Sequence, residues 1–156
     1  MKDGVSFVVL ASDHAGLEMK QRLREALAGW GYRVEDLGPG TADSVDYPDY
    51  AEAVALRVGR GQADAGVLVC GTGVGMSISA NKFPNVRAAL LYDGFTARYS
   101  RLHNDANIAV FGARTMSADD AVARLRIFLS EPFEKGRHSR RVDKIGCIEK
   151  RLGLPG

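Results

Sequence analysis

The strongest constraint this chain places on its own fold is a repeated change of hydrophobic rhythm. Short apolar runs at residues 5–11, 32–37, 65–70, 86–92 and 108–111 alternate with stretches whose apolar side chains recur every three or four positions. A run of four to eight apolar residues fits a strand buried on both faces, whereas spacings of three and four mark one face of a helix. Leu23, Leu27 and Trp30 show the helical spacing after the first run, and Ala51, Val54, Ala55 and Val58 show it after the second. Right-handed crossovers lay successive strands parallel and put each connecting helix on a face of the sheet. The alternation therefore predicts an α/β fold with about five parallel strands and helices on both faces. It leaves the spatial order of the strands open.

Local signals set the element ends. Gly38-Pro39-Gly40 closes the second strand before a polar loop that runs to Pro48, long for a connection between regular elements. Pro48 suits the first turn of the helix that follows, and Gly59 and Gly61 close that helix. Ser117 with Asp120 three residues on predicts a capped helix start. At 156 residues, 46% hydrophobic and 26% charged, the chain fits one domain. Residues 1–134 read as its α/β catalytic part and 135–156 as a basic C-terminal arm and helix. The formal net charge is +2, yet residues 135–151 hold seven Lys/Arg against two acids, so the rest is about −3. With so small a net charge, and no aromatics among the arginines, a nucleic-acid partner is not expected. No apolar stretch approaches the roughly 18 residues of a membrane span, and the start leads directly into a strand, so a cytoplasmic protein is expected. Cys70 and Cys147 form no CxxC pair and are expected as reduced thiols.

Chemistry should be sought at Cys70-Gly71-Thr72-Gly73-Val74-Gly75, the turn that follows the third strand. Ligands of α/β proteins bind at the carboxyl ends of strands, and glycine-rich turns let backbone amides approach an anion. Thr72 adds a hydroxyl. The bland alternative is a tight turn beside a small buried cysteine. A dinucleotide site is the other rival, with Asp93 ending the next strand as the ribose-binding acid. The third glycine comes one residue early for GxGxxG, and the helix after it is short, both of which weigh against that reading. Parallel strands share a direction, so Asp13 and His14 after the first strand emerge on the same edge as Cys70. His103-Asn104 reads either as a catalytic pair or as a helix end with Asn as C-cap. Arg114, Arg137, Arg140 and Arg141 offer forked donors suited to a phosphate dianion.

Six separated motifs then carry a resemblance: Ser-Asp-His-Ala-Gly at 12–16, Asp46-Tyr47-Pro48, the glycine turn at 70–75, Ala80-Asn81-Lys82, His103-Asn104-Asp105, and Gly136-Arg137-His138 with Arg141. In order and over nearly the whole chain, they resemble the ribose-5-phosphate isomerase B family, relatives of which act on allose or galactose 6-phosphates. The resemblance implies a three-layer α/β/α sandwich with an open, Rossmann-like sheet. It also implies aldose-ketose isomerisation of a sugar phosphate without metal or cofactor, in sites shared between subunits of a homodimer or tetramer.

Carried across, Cys70 is the proton-shuttling base and His103 the acid-base that opens the sugar ring. Asp13, Gly71, Thr72, Gly73, Val74, Gly75 and Asn104 form the polar frame. His14, Arg114, Arg137 and Arg141 surround the phosphate, and Tyr47 lines the pocket. Some family members replace the cysteine by a carboxylate just after the turn; Met76 occupies that place here, making this chain the cysteine type. The expected reaction is D-ribose 5-phosphate to D-ribulose 5-phosphate through a cis-enediolate. A hexose phosphate, or a nucleotide-binding or sugar-phosphate-sensing module, is the alternative.

Overall fold

The computed structural model describes residues 4–153, and its sheet shows how the alternating rhythm is used. Strands β1 (Phe7–Ser12), β2 (Arg33–Asp36), β3 (Ala65–Cys70), β4 (Ala88–Leu90) and β5 (Ile108–Gly112) pair in parallel in the order β2-β1-β3-β5-β4. The helices between and after them are α1 (Leu17–Gly29), α2 (Tyr47–Gly59), α3 (Val74–Ala80), α4 (Gly94–Leu102), α5 (Ala118–Ser130) and α6 (Ser139–Arg151).

The side-chain period of two sorts each strand between two cores. Val8, Leu10, Val67, Val69, Ala109 and Phe111 face Leu23 and Leu27 of α1, Ala97 of α4, and Leu125 and Phe128 of α5. Val9, Ala11, Leu68, Ile108 and Val110 face Ala51, Val54 and Ala55 of α2 and Met76 and Ala80 of α3. Each fully buried Leu, Ile, Val or Phe contributes roughly 1.5–3 kcal/mol, so the two cores hold the expected three-layer sandwich together.

The strand order decides where a ligand can sit. From β1 the chain moves outward to β2, then returns to the other side of β1 to form β3. Helix α1 covers one face and α3 the other, so the carboxyl ends of β1 and β3 flank the crevice at the topological switch point. Strand β5 inserts between β3 and β4, leaving β4 at the edge. That strand is shorter than the apolar run at 86–92 because its flanks are used otherwise. The Arg87 amide donates to the Asn107 side chain at 2.8 Å, and Tyr92 lies 64% exposed.

The long polar loop after β2 is tied down at three points. Ser12 N–H donates to the Gly38 carbonyl at 3.0 Å, and Val45 N–H donates to His14 Nδ1 at 3.3 Å. Lys20, only 2% exposed, donates to Asp36 at 2.8 Å and to the Pro39 carbonyl at 2.7 Å, which satisfies the charge that burial would otherwise penalise. Beyond α5, helix α6 buries none of its side chains in the rest of the chain and exposes Ile145 and Ile148.

Candidate active site

At the switch point, backbone hydrogen bonds hold three strand ends together. Asp13 N–H donates to the Val69 carbonyl at 3.0 Å, Ala113 N–H to Cys70 at 2.9 Å, and Arg114 N–H to Gly71 at 2.8 Å. Asp13 caps the short 3-10 turn His14–Gly16, its carboxylate accepting the Gly16 amide at 3.0 Å. The Arg114 guanidinium lies over Gly71, with Nη1 3.4 Å from where a Cβ would stand. Tyr47, the first residue of α2, lays its ring over Gly75, where a Cβ would meet Cε2 at 2.6 Å. His14 accepts at Nδ1 from Val45, which puts the neutral imidazole's proton on Nε2 and makes that nitrogen a donor.

The turn is wound around the sulfur of Cys70. Gly73 takes the left-handed conformation, φ +80°, and its amide donates back to Cys70 Sγ at 3.1 Å. A donor in this place is complementary to sulfur that carries negative charge. Val74 N–H donates to Thr72 Oγ1 at 3.3 Å, leaving the Thr72 hydroxyl proton to be given elsewhere. The following amides, of Gly75 and Met76, belong to the first turn of α3, which a helix does not bond internally. Cys70 itself is 4% exposed, so charge forming beside it is shielded from bulk water.

His103 lies elsewhere. Helix α4 runs back from the carboxyl edge of the sheet, and over nine residues at 1.5 Å each it carries His103 roughly 13 Å toward the amino edge. There the His103 ring stacks on His138, centroids 4.0 Å apart and planes 9° from parallel, with Tyr99 at 4.7 Å on the helix side. Glu134 presents one carboxylate oxygen to both imidazoles, 3.5 Å from His103 Nε2 and 3.6 Å from His138 Nε2. Arg137 Nε donates to His138 Nε2 at 3.3 Å. Burial, then the neighbouring His103 and Arg137, hold His138 below the usual histidine range against the opposing pull of Glu134, and Arg141 adds to that repulsion. Asn104 follows His103 and gives its carbonyl to Arg87. Within one chain, then, Asp13, His14, Tyr47, Cys70, the glycine turn and Arg114 come together. His103, Asn104, Arg137 and Arg141 form a second group at the opposite sheet edge.

A sequence profile of ribose/galactose isomerases matches residues 8–145. The chain belongs to the ribose/galactose isomerase family. It is 40% identical over 144 residues to ribose-5-phosphate isomerase B of Escherichia coli K12, covering 92% of this chain and 97% of that protein. Ribose-5-phosphate isomerase B of Clostridium thermocellum superposes with a TM-score of 0.91 at 44% identity, over 93% of this chain and 98% of its own. The Mycoplasma genitalium enzyme with bound ribulose-5-phosphate superposes at 0.89 with 41% identity, over 92% and 95%.

Against this family background two sequence expectations change. Asp93 is not a ribose-binding acid: its carboxylate caps α4, accepting the Thr96 amide at 2.7 Å in a reciprocal capping box. The C-cap of α4 is His103 rather than Asn104, and the left-handed residue that ends the turn is Asp105, φ 47°. Glu134 has no signal in the sequence, and His138 enters there only as part of the motif at 136–138, without a role, although it sits beside Arg137 and four residues after Glu134. Among the described residues, His103, Glu134 and His138 also form a group with metal-ligand atoms within 4.8 Å of one another. The two rings confine their lone pairs to near-parallel planes stacked about one ring thickness apart, which do not meet at one ion, and Arg137 Nε already donates to His138 Nε2, so the group fits a hydrogen-bonded cluster better than a metal site.

Proposed function

We propose that this family member interconverts D-ribose 5-phosphate and D-ribulose 5-phosphate through a cis-enediolate. The observation that carries the reading is the Gly73 amide aimed at the buried Cys70 Sγ at the switch point. A thiol acts as a base only as thiolate, and a thiolate accepts that amide better than a thiol does. His103 opens the furanose, giving a proton to the ring oxygen and taking up the one that the anomeric hydroxyl loses, so that it ends in the protonation state in which it began. Cys70 then removes the C2 proton; the C–H electrons form the C1–C2 double bond and O1 becomes an oxyanion. The O2 proton passes to O1, and return of the carbon-bound proton from Cys70 to C1 completes the ketose. The thiolate is regenerated.

Enediolate stabilisation falls to Thr72 and the first amides of α3, where one preorganised donor is worth about 3 kcal/mol. The phosphate does not react. Held by His14 and Arg114 from one side and Arg137 and Arg141 from the other, it fixes C1 and C2 against sulfur, so phosphate binding also raises turnover.

The same reading makes the working unit a homodimer, in which the second copy supplies His103, Asn104, Arg137 and Arg141. The distance between the two groups within one chain, and the exposure of Ile145 and Ile148 on α6, support it. The basic arm, residues 135–156, is then part of the single catalytic domain. We assign the reaction to the cytoplasm, and no helix among the described residues is long and apolar enough to cross a membrane. Cys70→Ala tests the base: exchange of the C2 proton with solvent is lost while ribose 5-phosphate still binds. Retained exchange refutes the assignment. Turnover of ribose, allose and galactose phosphates side by side, with ribose phosphate expected fastest, tests the substrate.

A further inference from the structure

We infer that Glu134 is a positioning residue that selects His103, rather than its stacked neighbour His138, as the imidazole that carries the exchangeable proton. The inference rests on the ring-opening role proposed for His103. Two imidazoles 4.0 Å apart and nearly parallel cannot both hold a proton without direct repulsion, so the pair behaves as one coupled site. A single carboxylate oxygen serves both Nε2 atoms.

The remaining neighbours break the symmetry. His138 is 3% exposed, accepts Arg137 Nε at its Nε2, and faces Arg141 as well, all of which favour its neutral form. His103 is a third exposed, and its one other close ring is the uncharged Tyr99. Negative charge on Glu134 therefore finds its proton-bearing partner in His103. Backbone geometry makes the placement firm: Glu134 N–H donates to the Leu102 carbonyl at 3.0 Å, docking the segment after α5 on the end of α4 directly before His103. His138 then acts as a neutral plate against which the His103 ring is held.

Glu134→Gln removes the charge but keeps the shape, and with the glutamate side chain 56% exposed it leaves the cores intact. The chain has three histidines, His14, His103 and His138, so each can be followed separately by NMR titration. In Glu134→Gln the titration of His103 is expected to move to lower pH while that of His14 stays in place. The alkaline limb of the kcat profile moves in the same direction, and kcat falls by about tenfold with KM changed by less than about twofold. Glu134→Asp, which keeps the charge, restores most of the lost kcat. An unchanged His103 titration, or a shift confined to His138, overturns the inference, as does a Gln variant that changes KM alone. His103→Asn separates the two readings: full turnover in that variant rejects the ring-opening role, whereas the NMR shift speaks to Glu134 independently.

Discussion

Replacing Gly73 with alanine asks whether the glycine turn is imposed by backbone conformation or only by local crowding. At φ +80° a Cβ costs about 1–2 kcal/mol. It would also press on Leu90 Cδ1 and stand 3.1 Å from the carbonyl carbon and oxygen of Phe111. The Leu90 methyl can move, but the Phe111 carbonyl belongs to a strand paired on both sides, so crowding adds about 1–3 kcal/mol. A total near 3 kcal/mol is a large part of a stability of about 5–15 kcal/mol. With a urea slope of about 2 kcal/mol per molar, the midpoint should fall by about 1.5 M. Unfolding is followed by fluorescence of the single tryptophan, Trp30, and by far-UV circular dichroism. Gly75→Ala is the control. The three atoms nearest its Cβ would all belong to the Tyr47 ring, the far end of a side chain 40% exposed. Its midpoint should change by less than about 0.5 M while KM rises as Tyr47 is pushed aside. A Gly73→Ala midpoint within about 0.3 M of the parent at unchanged slope would refute the reasoning.

Mixing Cys70→Ala subunits with His103→Asn subunits, each inactive alone, should restore about a quarter of the parent activity. Half the dimers are mixed, and each of those carries one intact site; no recovery after verified subunit exchange rejects the shared site. Burial, with repulsion from His103 and Arg137, makes folded His138 bind its proton less readily than the unfolded chain does. Its contribution to stability is therefore complete above the unfolded value of about 6.5 and is lost as pH falls through the lower folded value. His138→Gln should flatten the acid-side decline of the urea midpoint below about pH 6.5, and an unaltered slope counts against that cause.

Periodicity read the elements well because both cores are built from regular repeats: Ala51, Val54, Ala55 and Val58 are all buried where the spacing puts them. Strand order was not legible, since nothing local to residues 86–92 says that β5 will arrive between them and β3. The approach of Asp13 and His14 to the Cys70 edge followed from strand direction, and the same rule accounts for Arg114, which follows β5. The location of His103 did not follow from it, because a residue after a helix emerges at the opposite edge from one after a strand. Asp93 suggested the disfavoured dinucleotide rival for a related reason: an acid that follows a strand also precedes a helix, and capping that helix satisfies it. Glu134 went unseen because its meaning depends on a 3.5 Å contact with a residue 31 positions earlier.

The insertion of β5 between β3 and β4 carries a consequence for how the chain is made. Strand β3 is buried along its whole length, yet one of its edges has no partner until Ile108–Gly112 has left the ribosome. About forty residues of synthesis separate the two strands, roughly 2 to 8 s at ordinary elongation rates. During that interval a nascent chain presents an apolar, unpaired strand edge, the template that recruits other chains. Stalled or truncated products ending before β5 should thus be the aggregating species, and the demand for chaperone binding falls at this one stage of translation.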